Sequence, residues 1–358
     1  MLNPREAVRT LPSYHPPLAG RAGLRLDFNE NTVGCSPRVL ERLRQLGPEQ
    51  LACYPERGPV EATVAAFLGV APPELLLTNG VDEAIHLLCE TYLEPGDEAM
   101  IVVPTYSMYR IYMMAAGARV IAVPAGADFS FPVDDLCSRI TPRTRLIAVA
   151  NPNNPTGTVA AVKDLRRILA AAPHAAVLVD EAYFEFCGQS MLGARKEFSN
   201  FFAARTFSKA YGLAGLRIGA LIGDVDQMCA VRRVSSPYNV NAVALACLPA
   251  AVRDQDYLRQ YAGEVRQSRA RLESALEASG IQFWLSHANF VLARVGTAAA
   301  FVDHMRGKGI LVRDRSSDPG CEGCVRITLG PRAHTDRLLA ALQEAFETLG
   351  IAQGASRQ

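Results

Sequence analysis

Apolar runs alternate with amphipathic stretches over the first two thirds of the chain. Leu75–Thr78, Glu98–Val103 and Ala176–Val179 are short and almost continuously apolar. Between such runs, stretches such as Val81–Tyr92 repeat apolar residues at the spacing of one helix face. Continuous apolar strands that alternate with helices are typical of a mostly parallel sheet covered on both faces. The pattern therefore predicts an α/β fold.

The same reasoning predicts further elements in this part of the chain. They are strands at Arg119–Val123, Arg145–Ala150, Phe202–Thr206 and Leu216–Ile222, and helices at Tyr106–Ala116 and Lys163–Ala172. After residue 250 the pattern changes to a long helix, short strands and a closing helix, predicted at Gln255–Ala278, Phe283–Ala293, Gly309–Arg313, Val325–Leu329 and Thr335–Leu349. We expect a large domain at 29–250, a smaller α/β domain at 251–358, and an N-terminal segment at 1–28 that packs with the small domain.

Charge and composition narrow the classes of function. The 358 residues include 37 basic and 36 acidic side chains, a net charge of +1 that gives no general attraction to nucleic acid or to a membrane surface. No apolar run is long enough to cross a membrane, and the N-terminus lacks the apolar core of a secretory signal. The nine cysteines do not form a disulfide framework, which favours a reducing cytoplasm.

Cys321 and Cys324 form the one CxxC pair of the sequence. A structural zinc site would need a second such pair or nearby histidines, and the flanking residues supply neither. We therefore interpret the two cysteines as small loop residues and predict no metal site.

Polar residues follow several predicted strands at the point where each strand ends. Because open parallel sheets bind ligands beyond the carboxyl ends of their strands, these residues are expected to converge on one crevice. They are Asn79, Gly80, Val81, Asp82, Tyr106, Asn153, Asn154, Asp180, Tyr183, Ser208 and Lys209.

Lys209 lies just after a predicted strand, among glycines and small residues. Taken alone, it reads as a solvent-exposed loop lysine, the usual place for this residue type. Its neighbours favour a binding site, since the Ser208 hydroxyl and the forked donors of Arg217 both suit a phosphate. The first N–H groups of the helix that begins near Val81 add a second anion-binding feature.

Two further segments carry polar groups at the same predicted edge. Asp180 follows a buried strand and is either a helix N-cap or the counter-ion of a protonated ring nitrogen. Asn154 lies in the run Asn-Pro-Asn-Asn-Pro-Thr-Gly, which reads as a rigid turn but also offers an amide donor.

These segments together resemble the fold-type I pyridoxal-phosphate (PLP) aminotransferases of class I/II, which include aspartate aminotransferase. The resemblance implies an aspartate-aminotransferase-like fold, with a mostly parallel seven-stranded sheet between helices and a smaller α/β domain. It implies that Lys209 holds PLP as a Schiff base and moves protons. It also implies that Asp180 pairs with the pyridine nitrogen of PLP, and that Tyr183 and Asn154 form hydrogen bonds with the phenolic oxygen of the cofactor. Tyr106 would stack on the ring, and the phosphate would be held by Gly80, Val81, Asp82, Thr206, Ser208 and Arg217. Tyr54 resembles the tyrosine that reaches the phosphate of a neighbouring subunit, which implies a homodimer, although it also reads as a turn aromatic.

Within this group the chain is most similar to the histidinol-phosphate aminotransferases, through Leu26–Asn31, Thr78–Ile85, Gly309–Arg315 and Val325–Gly330. The resemblance implies that Arg326 and Arg313 bind the anionic ends of L-histidinol phosphate and of glutamate, with Tyr14, Asn29 and Asn239 as further substrate contacts. Arg313 also reads as a solvated charge beside Asp314.

The implied reaction is transamination between L-histidinol phosphate and 2-oxoglutarate, which yields imidazole acetol phosphate and glutamate in histidine biosynthesis. Val33 stands where the family often has an aromatic residue, and the N-terminal Leu11–Gly23 is divergent. These departures keep two alternatives open: an aromatic or other amino-acid aminotransferase, and an enzyme similar to threonine-phosphate decarboxylase.

Overall fold

The computed structural model describes residues 2–11, 13 and 20–351. Within them, the strands are β1 Leu24–Arg25, β2 Leu75–Thr78, β3 Glu98–Val103, β4 Arg119–Pro124, β5 Thr144–Ala150, β6 Ala176–Asp180, β7 Phe201–Thr206, β8 Gly219–Gly223, β9 Phe283–Trp284, β10 Phe290–Arg294, β11 Ile310–Leu311, β12 Arg313–Asp314 and β13 Cys324–Thr328. The helices are α1 Glu6–Arg9, α2 Pro37–Arg44, α3 Pro48–Ala52, α4 Gly58–Leu68, α5 Gly80–Tyr92, α6 Ser107–Ala115, α7 Val133–Ser138, α8 Val162–Ala171, α9 Phe184–Cys187, α10 Val225–Val234, α11 Ala242–Arg253, α12 Gln255–Ala278, α13 Ala298–Gly307 and α14 Arg332–Leu349.

A seven-stranded sheet with the order β2-β8-β7-β6-β5-β3-β4 organises the first two thirds of the chain. All neighbouring pairs are parallel except those of β8, which is antiparallel to both β2 and β7. The carboxyl ends of the other six strands therefore meet at one edge, and β8 begins there. The predicted α/β fold with a mostly parallel seven-stranded sheet is confirmed.

Both faces of this sheet are buried, as the continuous apolar strands predict. In β6, Val177 and Val179 pack into one hydrophobic cluster, while Leu178 packs into a second cluster on the opposite face. Successive side chains of a strand point to opposite faces, so a strand covered by helices on both sides has no polar face. Burial on both sides leaves the strand ends as the place where polar groups reach solvent.

A four-stranded antiparallel sheet, β12-β13-β10-β9, lies in the last third of the chain, where α12 and α13 pack on it and α14 packs on these two helices. The N-terminal segment adds the two-residue strand β1, which pairs in parallel with β11 through Leu24 and Ile310. The domain boundaries at 28 and 250 stay a prediction.

Three predicted strands were wrong in extent. Leu216–Ile222 begins too early, because residues 214–216 form a 3-10 turn and Arg217 has a left-handed φ of 53°, so the strand starts only at Gly219. Phe283–Ala293 is two antiparallel strands, β9 and β10, with a turn between them. Gly309–Arg313 divides between two sheets, since β11 pairs with β1 whereas β12 pairs with β13.

Candidate active site

A cavity of about 730 Å³ opens at the carboxyl edge of the large sheet. It is lined by these predicted site residues: Asn29, Val81, Asp82, Tyr106, Asn154, Asp180, Tyr183, Thr206, Ser208, Lys209, Arg217, Arg313 and Arg326. They come from five strand ends of the large sheet, from the N-terminal segment and from the small sheet. The convergence expected from the sequence is therefore present in the structure.

Lys209 follows the end of β7, and its Nζ donates a hydrogen bond to the main-chain oxygen of Phe28 at 3.0 Å. Burial and, after it, the positive charge of Arg326 together lower the pKa of Lys209 to about 8, while Glu30 opposes the shift. An amine in this environment exists in both protonation states near neutral pH, which a solvent-exposed loop lysine does not.

Asp180 ends β6, and its two carboxylate oxygens have one partner each. The Tyr109 hydroxyl donates to Oδ2 at 2.6 Å, and the Ala182 N–H donates to Oδ1 at 3.0 Å. Burial raises the pKa of Asp180 to about 6, although both hydrogen bonds oppose the shift. Asp180 makes no ion pair within the described residues, so this buried carboxylate has hydrogen-bond donors but no cation.

The next group of contacts connects the N-terminal segment to the middle of the cavity. The Tyr183 hydroxyl accepts a hydrogen bond from Asn29 Nδ2 at 2.9 Å. Asn29 is in turn held by the Thr328 hydroxyl, which donates to its Oδ1 at 3.0 Å. Arg326 donates to Asn154 Oδ1 and to the main-chain oxygen of Asp27. Asn29 thus orients Tyr183, while Arg326 orients Asn154.

A cationic pocket with little space for side chains lies where α5 begins. Arg217 Nη2 pairs with Asp82 Oδ2 at 3.0 Å, and the Tyr106 hydroxyl donates to Asp82 Oδ1 at 2.7 Å. Gly80 has a φ of 76°, and a Cβ at this position would lie 2.6 Å from Arg217 Nη2. The side chain of the N-cap residue, Asn79, makes no hydrogen bond to the first N–H groups of α5. These N–H groups and the Arg217 guanidinium can therefore serve an anion together.

Three predicted residues of the site, Gly80, Tyr54 and Asn239, do not line the cavity, and a fourth lies outside the described residues. Tyr54 is 78% exposed and stacks on Tyr238 with ring centroids 4.2 Å apart, so its expected contact with a neighbouring subunit stays a prediction. The Asn239 carboxamide donates to Leu77 O and to Glu83, and it also accepts from Arg57. Its predicted substrate contact therefore finds no support in the geometry of the chain. Tyr14 is the residue outside the described part.

Comparisons with known proteins agree with this geometry. The family profile described as "Aminotransferase class I and II" matches residues 21–342. The chain belongs to this aminotransferase family. It is 37% identical over 322 residues to the histidinol-phosphate aminotransferase of Paracoccus denitrificans, with 88% of this chain and 87% of the relative covered. It is 36% identical to histidinol-phosphate aminotransferase 2 of Caulobacter vibrioides, with 92% and 89% covered. The crystal structure of histidinol-phosphate aminotransferase from Sinorhizobium meliloti, in complex with pyridoxal-5′-phosphate, superposes with a TM-score of 0.86 at 27% identity and covers 96% and 98% of the two chains.

Sequence reasoning about this aminotransferase missed three cavity contacts. Tyr109 lies one helical turn after Tyr106 on α6, and this spacing could have suggested that both face the same site. Arg315 lines the cavity two residues after Arg313, as strand alternation would allow. The main-chain oxygen of Phe28 has no signal in the sequence, because any residue type supplies the same carbonyl group.

The described residues contain neither a metal-binding cluster nor a membrane-spanning helix. In residues 2–11, 13 and 20–351, no three His, Cys, Asp or Glu side chains are grouped so that they could hold a metal ion. None of the helices in the described part is both long and apolar enough to cross a membrane.

Tyr109→Phe should destabilise the protein more at pH 8 than at pH 5. The folded-state pKa of Asp180 lies above the value near 4 of an unfolded aspartate, so its stabilising contribution is complete below about pH 4 and is lost as pH rises through about 6. The Tyr109 bond limits that loss, because it favours the ionised form. Its removal should lower the free energy of unfolding by about 1–2 kcal/mol more at pH 8 than at pH 5, measured by urea denaturation.

Tyr92→Phe is the matched control, since the Tyr92 hydroxyl donates to the uncharged Gln227 side chain at 2.9 Å. Its effect on the free energy of unfolding should be the same at both pH values. An equal loss at pH 5 and pH 8 for Tyr109→Phe as well would mean that its hydroxyl does not stabilise the Asp180 carboxylate.

Gly80→Ala should cost more stability than left-handed strain alone. Gly69 provides the comparison, because it has a similar φ of 67° and open space around the position of a Cβ. Strain should cost each alanine variant about 1–2 kcal/mol, and Gly80→Ala must also displace the Arg217 guanidinium. We expect a larger loss in urea denaturation for Gly80→Ala than for Gly69→Ala; equal losses would show that Arg217 moves aside freely.

Proposed function

We propose that this protein is a PLP-dependent aminotransferase that transfers the amino group of L-histidinol phosphate to 2-oxoglutarate, a step of histidine biosynthesis. The observation that carries the proposal is the placement of Lys209 and Asp180 in one cavity between two cationic ends. One end contains Arg217 at the N-terminus of α5, and the other contains Arg313 and Arg326. The names of the relatives support the same activity.

The Arg217 end suits the phosphate of PLP. The N–H groups of Gly80, Val81 and Asp82 lie at the start of α5, where the helix dipole favours an anion. The hydroxyls of Thr206 and Ser208 and the guanidinium of Arg217 line the same end. A Cβ on Gly80 would clash with the Arg217 guanidinium, so the glycine lets Arg217 lie against the start of α5.

Asp180 suits the protonated ring nitrogen of PLP. As a buried carboxylate without a cation in the described residues, it has a raised pKa. A cationic nitrogen beside it would stabilise the ionised carboxylate, and the carboxylate would stabilise the cation in return. Tyr183 and Asn154 would bond the ring oxygen, and Tyr106 would stack on the ring.

PLP, when bound, withdraws electrons from the α-carbon of the amino donor. Lys209 Nζ supplies the base that takes the proton from that carbon, and the acid that returns a proton later. A pKa of about 8 suits both tasks, since the amine is neutral in part and protonated in part near pH 7–8. Its bond to Phe28 O orients the amine within the cavity.

Arg313 and Arg326 would bind the phosphate of the donor and the carboxylate of 2-oxoglutarate in turn. Asn29 positions Tyr183 beside them. We further propose a cytoplasmic homodimer, in which Tyr54 of the partner subunit reaches the cofactor phosphate. The exposed stack of Tyr54 on Tyr238 supports this proposal, because two adjacent exposed aromatic rings are typical of an interaction surface.

A donor screen tests the reaction. The protein, loaded with PLP and supplied with 2-oxoglutarate, should form glutamate with the highest kcat/KM for L-histidinol phosphate, compared with histidine, phenylalanine and phosphothreonine. Lys209→Ala should reduce kcat by about 10³-fold or more, because it removes the proton carrier. Lys308→Ala, which removes a lysine paired with Glu344 on the surface, is the matched control and should leave kcat unchanged.

Other outcomes of the screen would contradict the proposal in distinct ways. Release of CO2 from phosphothreonine without glutamate would identify a decarboxylase. A preference for phenylalanine over the phosphate-bearing donor would identify an aromatic aminotransferase.

The attachment of PLP to Lys209 should depend on pH through the amine. Because only the neutral amine is a nucleophile, the rate of covalent attachment to the cofactor-free protein should rise with pH and level off above about 8. Stopped-flow absorbance measures this rate. A small-molecule lysine amide, with its ordinary pKa, should level off about two pH units higher; the same midpoint for both would mean that Lys209 is not desolvated.

A further inference from the structure

Three arginines share one face of the small sheet. β12 and β13 are antiparallel, and Arg313 lies directly opposite Arg326. The strand alignment continues past β12, since the Arg315 N–H donates to Cys324 O at 2.9 Å. Directly opposed residues of an antiparallel pair point to the same face, and so do residues two apart on one strand. Arg315 therefore projects into the cavity beside Arg313 and Arg326, and all three residues line the cavity.

These three guanidinium groups have little negative charge to balance them. Within the described residues, Arg315 forms an ion pair with Asp318, whereas Arg313 and Arg326 form none. Glu30 also lines the cavity, but Arg21 binds it at 2.7 Å. Burial lowers the pKa of Arg326 to about 10, and the next cause is the positive charge of Arg315, ahead of that of Arg313. The charge of Arg315 therefore contributes directly to the lowered pKa of Arg326.

Two donors of this group have no acceptor. Arg315 Nε and Arg326 Nε are buried and lack a hydrogen-bond partner among the described residues. Buried N–H groups of charged side chains are costly when they are left unpaired. A ligand with several anionic oxygens would supply the negative charge that this group of arginines lacks.

The loop that carries Arg315 is held in one shape. Its backbone N–H groups at residues 315, 318, 321 and 324 donate to the main-chain oxygens of residues 324, 315, 318 and 321. Cys321 and Cys324 are fully buried against Phe129, Trp284 and Leu292, so the two thiols anchor the loop from below. A side chain on such a loop binds without first having to be ordered.

From these contacts we propose that Arg315 is a specificity-determining residue that completes a three-arginine subsite for a dianionic phosphate monoester. This role rests on the proposed function, and it would let the site distinguish the two substrates by their anionic groups. A phosphate monoester presents three anionic oxygens and about two charges at pH 7, whereas a carboxylate presents two oxygens and one charge. Arg313 and Arg326 suffice for the carboxylate of 2-oxoglutarate, and Arg315 adds the charge and the fork that the phosphate of the amino donor needs.

Arg315→Gln tests the proposal in the PLP-loaded enzyme. The KM for L-histidinol phosphate should rise by about 10-fold or more, because one charged hydrogen-bonding group is lost. The KM for 2-oxoglutarate and kcat should each stay within about three-fold of the wild type. Arg332→Gln is the matched control, since the Arg332 side chain is 84% exposed and should change neither KM.

A second variant and a second measurement test the role of Arg315 even if Arg315→Gln does not fold. Arg315→Lys keeps the charge but loses the fork, so its KM for L-histidinol phosphate should lie between those of the wild type and Arg315→Gln. The competitive inhibition constant of inorganic phosphate should follow the same order. If Arg315→Gln unfolds, which its thermal transition would reveal, the lysine variant and the inhibition constant decide the question.

Equal changes in both KM values, or no change in either, would overturn the role of Arg315. Failure of the proposed function looks different, because the wild-type enzyme would then form no glutamate from L-histidinol phosphate.

Discussion

Lys209, Asp180 and Arg326 lie in the same cavity, and burial is the largest cause of the displaced pKa of each. The large sheet creates this condition, because helices cover both of its faces and leave its carboxyl edge as the place where polar groups collect. Charged groups gathered there lose much of their hydration. Each of them then prefers a bound partner of opposite charge, so the affinity for an ionic ligand follows from the fold itself.

The N-terminal segment connects Lys209 with Arg313. The main-chain oxygen of Phe28 accepts the Lys209 bond, while the Arg313 guanidinium lies 5.3 Å from the centre of the Phe28 ring. Arg21 packs on the same ring at 4.4 Å and also pairs with Asp27. A short stretch thus holds both Lys209 and Arg313, and β1, just before it, pairs this stretch with β11 of the last third of the chain.

The sequence predicted the large sheet and most of the cavity lining, because both depend on local patterns. Apolar runs show where strands end, and two phosphate-binding residue types near Lys209, namely Ser208 and Arg217, distinguish it from an ordinary loop lysine. The parts that were missed depend on long-range contacts. Asn239 was predicted as a substrate contact from the family resemblance, but its hydrogen bonds to Leu77 and Glu83 hold it outside the cavity. Tyr109 reads as a core aromatic until Asp180, 71 positions later, is placed beside it.

The loop from residue 315 to residue 324 has a consequence for how this enzyme can diverge. Its hydrogen bonds recur every three residues, and the exposed positions Ser317, Pro319 and Glu322 fall between the bonded ones. These backbone bonds do not involve the side chains at the three positions, whereas a residue inserted within a turn would separate the donor of that turn from its acceptor. The backbone of this loop is therefore more tolerant of substitution at its exposed positions than of a change in length.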